Sequence, residues 1–257
     1  MILTVNIGNT HLTVAAYRAG ALLFSGKLSA APATSDEYAI RLIHLLTLHH
    51  SAPGQIEGVM LASVVPALTG RVVAALRMLT SARIMTVGPG LKSGLKLRLD
   101  QPAQLGAELL CGVVAAMAEG PAPMAVIFSD TALTIMGVNA QKELVGGVIL
   151  PGPQLSMASL VQNTAQLPQV ELDATPKKML GANTTDCLHS GIVHGTAAML
   201  DGMVAQFRAA LAAPDAPVIA TGTLPPSVRA ACGCGIDYRE TLILDGLYEI
   251  WQRNTRR

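Results

Sequence analysis

Charge is scarce in this 257-residue chain. Asp, Glu, Lys and Arg make up 14% of it, and their signs nearly cancel to a net charge of +1. Nothing in that balance suggests a face for nucleic acid. The basic clusters, Lys177–Lys178 and the tail Arg253, Arg256 and Arg257, read as solvated residues. Aromatic residues are rarer still, at 3%, against eleven methionines. That contrast suggests a pliable core, with an adaptable partner surface as the alternative. No unbroken apolar run reaches the roughly 18 residues of a membrane span. The N-terminus enters a strand directly, without a basic region or a small-residue cleavage site, so no secretory signal is expected. There are four cysteines: Cys111, Cys187, Cys232 and Cys234. Cys232 and Cys234 stand too close for an ordinary structural disulfide, and no second Cys or His pair has zinc spacing. All four read as reduced thiols with structural roles in a cytoplasmic protein. Apolar residues reach 51%, which favours extensive burial, in a core and at a subunit interface, over disorder.

The most informative segment is Ile2 to Thr13, an apolar strand that runs into Gly8-Asn9-Thr10 and out into a second strand. This is the outline of a phosphate cradle. Gly8 lets the backbone approach a ligand, and Asn9 and Thr10 offer N–H groups and short polar side chains to anionic oxygens. Two residues before the glycine, phosphoryl transfer calls for a carboxylate to hold a metal or its water. This chain has Asn6 there.

Strands and helices alternate along the chain, which points to an α/β fold. Strands are expected over 2–5, 12–17 and 22–29. Thr34-Ser-Asp-Glu37 is a capping box that opens a helix over 37–49. A strand over 58–63, a helix over 67–79, a strand over 83–87 and an apolar helix over 106–118 follow. The pattern then restarts with strands over 125–128, 133–138 and 143–149, helices over 156–163 and 187–212, a strand over 218–221 and a last helix over 244–253. The segment around Asn6-Ile-Gly-Asn-Thr parallels Phe128-Ser-Asp-Thr-Ala with one residue of offset. An internal repeat of this kind predicts two similar domains, 1–118 and 119–257, with their first hairpins facing a common cleft, one for each end of a triphosphate.

Taken together, these motifs resemble the type III pantothenate kinases over essentially the whole chain. The resemblance rests on Gly8-Asn9-Thr10, Asp36-Glu37-Tyr38, Ser63-Val-Val-Pro66, Gly88-Pro-Gly90 followed by Lys92-Ser-Gly94, and Gly106-Ala107. In the second half it rests on Thr131-Ala132, Gly146-Gly147-Val-Ile-Leu-Pro151-Gly152, Asn183-Thr184, Ser190-Gly191 and Ala220-Thr221-Gly222. It implies a duplicated ribonuclease-H-like fold of the actin, sugar-kinase and Hsp70 superfamily. It also implies ATP-dependent phosphorylation of pantothenate, the first step toward coenzyme A, with ATP and a divalent metal. Many members need a monovalent cation as well. A homodimer with the pantothenate pocket at the subunit interface is implied too.

The same resemblance marks where charge is missing. The aspartate that opens the family's phosphate turn is Asn6. The catalytic aspartate after Gly-Ala is Glu108, next to Gly106 and Ala107. The arginine that grips the pantothenate carboxylate is Leu109. The aromatic pocket residue before Asp-Asn-Pro is Leu99, ahead of Asp100-Gln101-Pro102. The second hairpin's cation-binding aspartate is Phe128, and its glycine is Asp130, the alternative cation ligand if the backbone shifts. Thr-Gly-Gly has become Thr221-Gly222-Thr223. Nucleotide contacts are expected from Asn6, Gly8, Asn9, Thr10, Thr131, Ala132 and Gly222. Pocket contacts are expected from Leu99, Gly106, Ala107, Leu109 and Thr184. No metal ligand is assigned.

These departures predict severely impaired or absent catalysis. The chain then serves as a homologue that binds a partner, such as an active kinase subunit, or senses a nucleotide. The competing expectation is a working kinase, weak on pantothenate or specific for an uncharged substrate that suits Leu99 and Leu109. A transcription accessory role, attached to some relatives, is disfavoured by the near-neutral charge. Smaller features read as structural: His49-His50 as a solvated helix cap, His189 and His194 as off the spacing of a helical metal pair, and the final helix as core or dimer packing.

Overall fold

The computed structural model describes residues 1–255, so Arg256 and Arg257 of the basic tail lie outside the described residues. The first part of the chain forms β1 (Ile2–Ile7), β2 (His11–Arg18), β3 (Ala21–Ser29), α1 (Ser35–Leu48), β4 (Gly58–Ser63), α2 (Pro66–Leu79), β5 (Arg83–Thr86), β6 (Lys96–Leu97) and α3 (Ala107–Glu119). There follow β7 (Met124–Ser129), β8 (Ala132–Val138), β9 (Glu143–Pro151), α4 (Pro153–Gln162), α5 (Thr184–Ala210), β10 (Val218–Gly222), α6 (Pro226–Ala231), β11 (Ile236–Tyr238) and α7 (Leu242–Thr255). The short elements β6, α6 and β11 have no counterpart in the sequence expectation. They are two, six and three residues long, too short for a period to register.

Two compact units result. One comprises Met1–Leu95, Ala103–Ala118 and the segment from Thr241, and the other Lys96–Pro102 and Glu119–Glu240. The expected second domain, 119–257, shares 119–240 with the second unit, whereas α7 belongs to the first.

Each unit carries a sheet of the same topology. The first runs β3-β2-β1-β4-β5 and the second β9-β8-β7-β10-β11, with β6 added beyond β9. In both, three antiparallel strands are extended by two parallel ones. The repeat read from the sequence is thus a duplicated fold. Its register is also shared: Asn6 lies opposite Thr13 and Ala62, and Phe128 opposite Thr134 and Thr221.

The first sheet is buried on both faces. Leu3, Val5, Ile7, Leu12 and Val14 pack with Tyr38, Leu42 and Leu46 of α1 and Val72 and Leu76 of α2. On the other face, Ala15, Tyr17, Met60 and Ala62 pack with Cys111 and Val114 of α3 and Leu247, Ile250 and Trp251 of α7. Apolar strands without strict alternation fit such a double-sided burial. Close approach explains why α7 sits there. A Cβ at Gly246 would lie 1.8 Å from the Cys111 carbonyl oxygen, and one at Gly58 would lie 2.1 Å from the Trp251 ring. In the second unit, Ile127, Leu133, Ile135, Ala220 and Val218 pack with Met157 of α4 and Ile192, Val193, Leu200 and Val204 of α5.

Helix starts follow their sequence signals. At α1 the Thr34 hydroxyl accepts from the Glu37 N–H at 3.2 Å, and Glu37 accepts from the Thr34 N–H at 2.7 Å, closing the capping box. His49 caps the far end, with its ring stacked on Phe24 at 4.4 Å.

Candidate active site

The first turn sits where β1 ends. Leu3, Val5 and Ile7 point into one core, so alternation sends Thr4 and Asn6 to the other face, toward α3. Asn6 is 6% exposed. Its Nδ2 donates to Glu108 Oε1 at 2.9 Å. Its Oδ1 is buried without a hydrogen-bond partner. Buried carbonyl oxygens are seldom left so, and one that is marks a site for an ion, water or ligand.

Glu108 lies in the first turn of α3, where the helix dipole favours a carboxylate. The Gly106 carbonyl accepts from the Leu110 N–H at 3.0 Å and starts that helix. Glu108 reaches back to the turn itself. A Cβ on Gly8 would stand 3.3 Å from Glu108 Oε1 and 3.2 Å from the His11 carbonyl oxygen. The Gly8 N–H donates to that same carbonyl at 2.9 Å, which closes the turn. Asn9 and Thr10 are exposed at its crest. Burial, followed by the nearby charge of Glu108, pushes the Cys111 thiol well above its ordinary value, so this cysteine is an inert core residue.

The second hairpin is built alike, one residue shorter. The Asp130 N–H donates to the Ala132 carbonyl at 2.9 Å. Phe128 fills the position equivalent to Asn6 and is 7% exposed. Gly152 packs against the turn, since a Cβ there would lie 2.6 Å from the Asp130 carbonyl oxygen and 2.7 Å from that of Thr131. Gly222 requires its glycine twice over, with φ of +96° and a Cβ position 2.0 Å from the Ser129 carbonyl oxygen. Thr223 fits beside it because its N–H and hydroxyl both donate to that Ser129 carbonyl. The Ser129 hydroxyl is buried without a partner.

The structure therefore brings together Asn6, Gly8, Glu108 and the start of α3 with Gly106, Ala107 and Leu109, in the first unit. In the second unit it groups Phe128, Asp130, Thr131 and Ala132 with Gly152 and Gly222. Leu99 follows β6 at the edge of the second sheet, and Thr184 is the exposed first residue of α5, which is capped by Asn183. Sequence reasoning treats Asn6 and Glu108 as two separate changes. Their hydrogen bond, between residues 102 apart, makes them one.

Oxygen donors are what the first turn offers. Asn6 Oδ1 and the Glu108 carboxylate are hard ligands beside a glycine turn, a donor set that fits a hydrated divalent cation and phosphate oxygens. Only one of the two donors carries charge.

A family model described as Type III pantothenate kinase matches residues 2–206. A type III pantothenate kinase of Anaeromyxobacter dehalogenans is 33% identical over 255 residues, which cover 99% of this chain and 100% of that protein. Among solved structures, a protein of Campylobacter jejuni provisionally described as a conserved Baf family transcriptional activator aligns with a TM-score of 0.60 at 18% identity, over 98% of each chain. The ROK hexokinase of Thermus thermophilus aligns with a TM-score of 0.51 at 10% identity, over 97% of each chain. These two likenesses concern the fold, which is of the sugar-kinase and actin type.

Proposed function

The chain belongs to the type III pantothenate kinase family, and we propose that it is a member in which pantothenate phosphorylation is severely impaired, retained to bind a protein partner or to sense a nucleotide. The observation that carries this reading is the 2.9 Å hydrogen bond from Asn6 Nδ2 to Glu108 Oε1. The family divides two tasks between two carboxylates. One anchors the metal, and the other takes the proton from the substrate hydroxyl. Here a single carboxylate remains for both, and an amide already occupies one of its oxygens.

Magnitudes support impairment. A lost electrostatic partner at such a site is worth roughly 3–4 kcal/mol. The added methylene of Glu108 moves the base by about 1 Å, which can cost roughly 10²-fold. Leu109 in place of the substrate-gripping arginine adds about 2–5 kcal/mol against a carboxylate substrate. The terms are not additive, yet half their sum removes several powers of ten at about 1.4 kcal/mol each. Phe128 offers a monovalent cation no ligand, and Asp130 is the substitute within reach in sequence.

In a nucleotide complex, Gly8, Asn9 and Thr10 would cradle phosphate oxygens. Asn6 Oδ1 and Glu108 would hold the divalent ion, whose role is to neutralise charge on the phosphoryl group. Thr131, Ala132 and Gly222 serve the nucleotide in the second repeat. Assembly as a homodimer, or with a related kinase subunit, completes this reading.

A second reading is favoured by one observation. The Glu108 carboxylate still stands at the turn, 3.3 Å from where a Gly8 side chain would begin. With apolar Leu99 and Leu109, that arrangement suits a kinase acting on an uncharged substrate. An ADP-release assay with pantothenate and magnesium decides between impairment and ordinary function. Turnover in the range of about 1–100 s⁻¹ seen for kinases overturns the first reading. Titration with ATP alone then separates a nucleotide sensor from a partner-binding scaffold.

A further inference from the structure

Away from its own hairpin, the second unit gathers two thiols and a carboxylate. Asp201 on α5 and Cys232 and Cys234 between α6 and β11 each place a ligand atom within 4.8 Å of the others, the one such group among the described residues. The cysteine turn is held from two sides. Asp201 Oδ1 and Oδ2 accept from the Gly233 N–H at 2.9 Å each, and Oδ1 accepts from the Cys234 N–H at 2.9 Å. Arg208 Nη2 donates to the Cys234 carbonyl at 3.1 Å, while its Nε donates to the Ala216 carbonyl at 3.1 Å. Gly235, with φ of +73°, then turns the chain into β11. The two thiols share a hydrogen bond. Cys234 is buried, whereas Cys232 and Asp201 are half-buried, so solvent reaches the cluster through them.

This donor set differs in kind from the phosphate turn. Thiolates are soft ligands that select zinc and similar ions over magnesium and calcium. In a tetrahedral zinc site, bonds of about 2.0–2.3 Å set neighbouring ligand atoms roughly 3.5–4 Å apart, and the three atoms here all lie within 4.8 Å of one another. A carboxylate has about four acceptor sites. On Asp201 two backbone N–H groups make three contacts and the Cys234 thiol donates a fourth, so loss of that thiol proton on binding frees one position for a metal. We propose that Asp201, Cys232 and Cys234 form a binding site for a thiophilic divalent cation, zinc by preference, with a fourth position left to water. Binding makes two sulfur–metal bonds and one oxygen–metal bond, and releases the two thiol protons to solvent. No oxidant or reductant is consumed.

The test uses the full chain, reduced and stripped of metal, titrated with cobalt(II) as a coloured stand-in for zinc. One equivalent should develop a thiolate-to-cobalt charge-transfer band that zinc then erases. Cys232→Ser and Cys234→Ser should each weaken binding by at least about tenfold, since changes even to the partners of metal ligands cost that much. Cys187→Ser, at the other accessible cysteine, should leave the band intact. The wild-type titration can refute the proposal without any variant. Absence of the band at one equivalent overturns it, and so does a band that survives in both serine variants.

Discussion

Asn6 and Phe128 occupy the same position in two copies of one fold. Each is the second-to-last residue of the strand that leads into its hairpin, opposite Thr13 in one sheet and Thr134 in the other. The family resemblance expects a carboxylate at both. Here both are neutral, and the carboxyl group bonded to the first is that of Glu108, delivered from a helix instead of from the strand.

Restoring the strand carboxylate alone should harm the metal-free protein. Asn6→Asp exchanges a hydrogen bond to a charged group for two facing carboxylates, and bonds of that kind contribute about 1.5–3 kcal/mol. The variant should unfold at a lower temperature in chelator, and magnesium should return part of the loss. Calorimetry with and without magnesium reads both effects.

Restoring three groups together should raise activity. Asn6→Asp with Glu108→Asp and Leu109→Arg rebuilds the metal anchor, the shorter base and the carboxylate grip. ADP release with pantothenate should increase by at least about 10²-fold over the parent chain, the scale of one recovered electrostatic contact. No increase in a folded triple variant would count against the proposed impairment mechanism.

Two glycines should respond differently to alanine. Gly222→Ala meets a positive φ and the Ser129 carbonyl at 2.0 Å, and should cost about 2–4 kcal/mol as a strained, overpacked backbone site. Gly8→Ala meets the His11 carbonyl at 3.2 Å and the Glu108 side chain at 3.3 Å, tight contacts that a shift of a few tenths of an ångström relieves. It should cost less stability than Gly222→Ala while weakening binding of ATP. Urea midpoints and nucleotide titration distinguish the pair.

Acid should expose the Glu143 network. Hydrogen bonds from Arg98, at 3.2 Å, and from Asn139, at 3.1 Å, hold this carboxyl below its ordinary value of 4.5. A depressed folded-state value means that the unfolded chain binds more protons. The stabilisation is present above pH 4.5 and is lost as pH falls through the folded-state value. Glu143→Gln should flatten that acid limb in unfolding curves measured as a function of pH.

The hairpins were legible because apolar strands and glycine turns carry their own signals. So was the helix after Thr34, whose capping box is local chemistry. Short elements such as β11 were not, because three residues hold no period. Residues that meet across the fold were legible only one by one. Asn6 and Glu108 each stood out, but nothing in their spacing announced a bond. Likewise Cys232 and Cys234 lacked a visible third ligand, since Asp201 arrives from another helix. The allegiance of α7 was hidden for a related reason: amphipathicity shows that a helix packs, and not against what.

That allegiance bears on how the protein is made. The strands around Met60 emerge early from the ribosome, yet the tryptophan that covers Gly58 follows only after the whole second repeat. Until then one face of the opening sheet has only α3 over it and stays partly bare and sticky. Cutting the chain after its first repeat therefore yields not a smaller working module but an unsealed half.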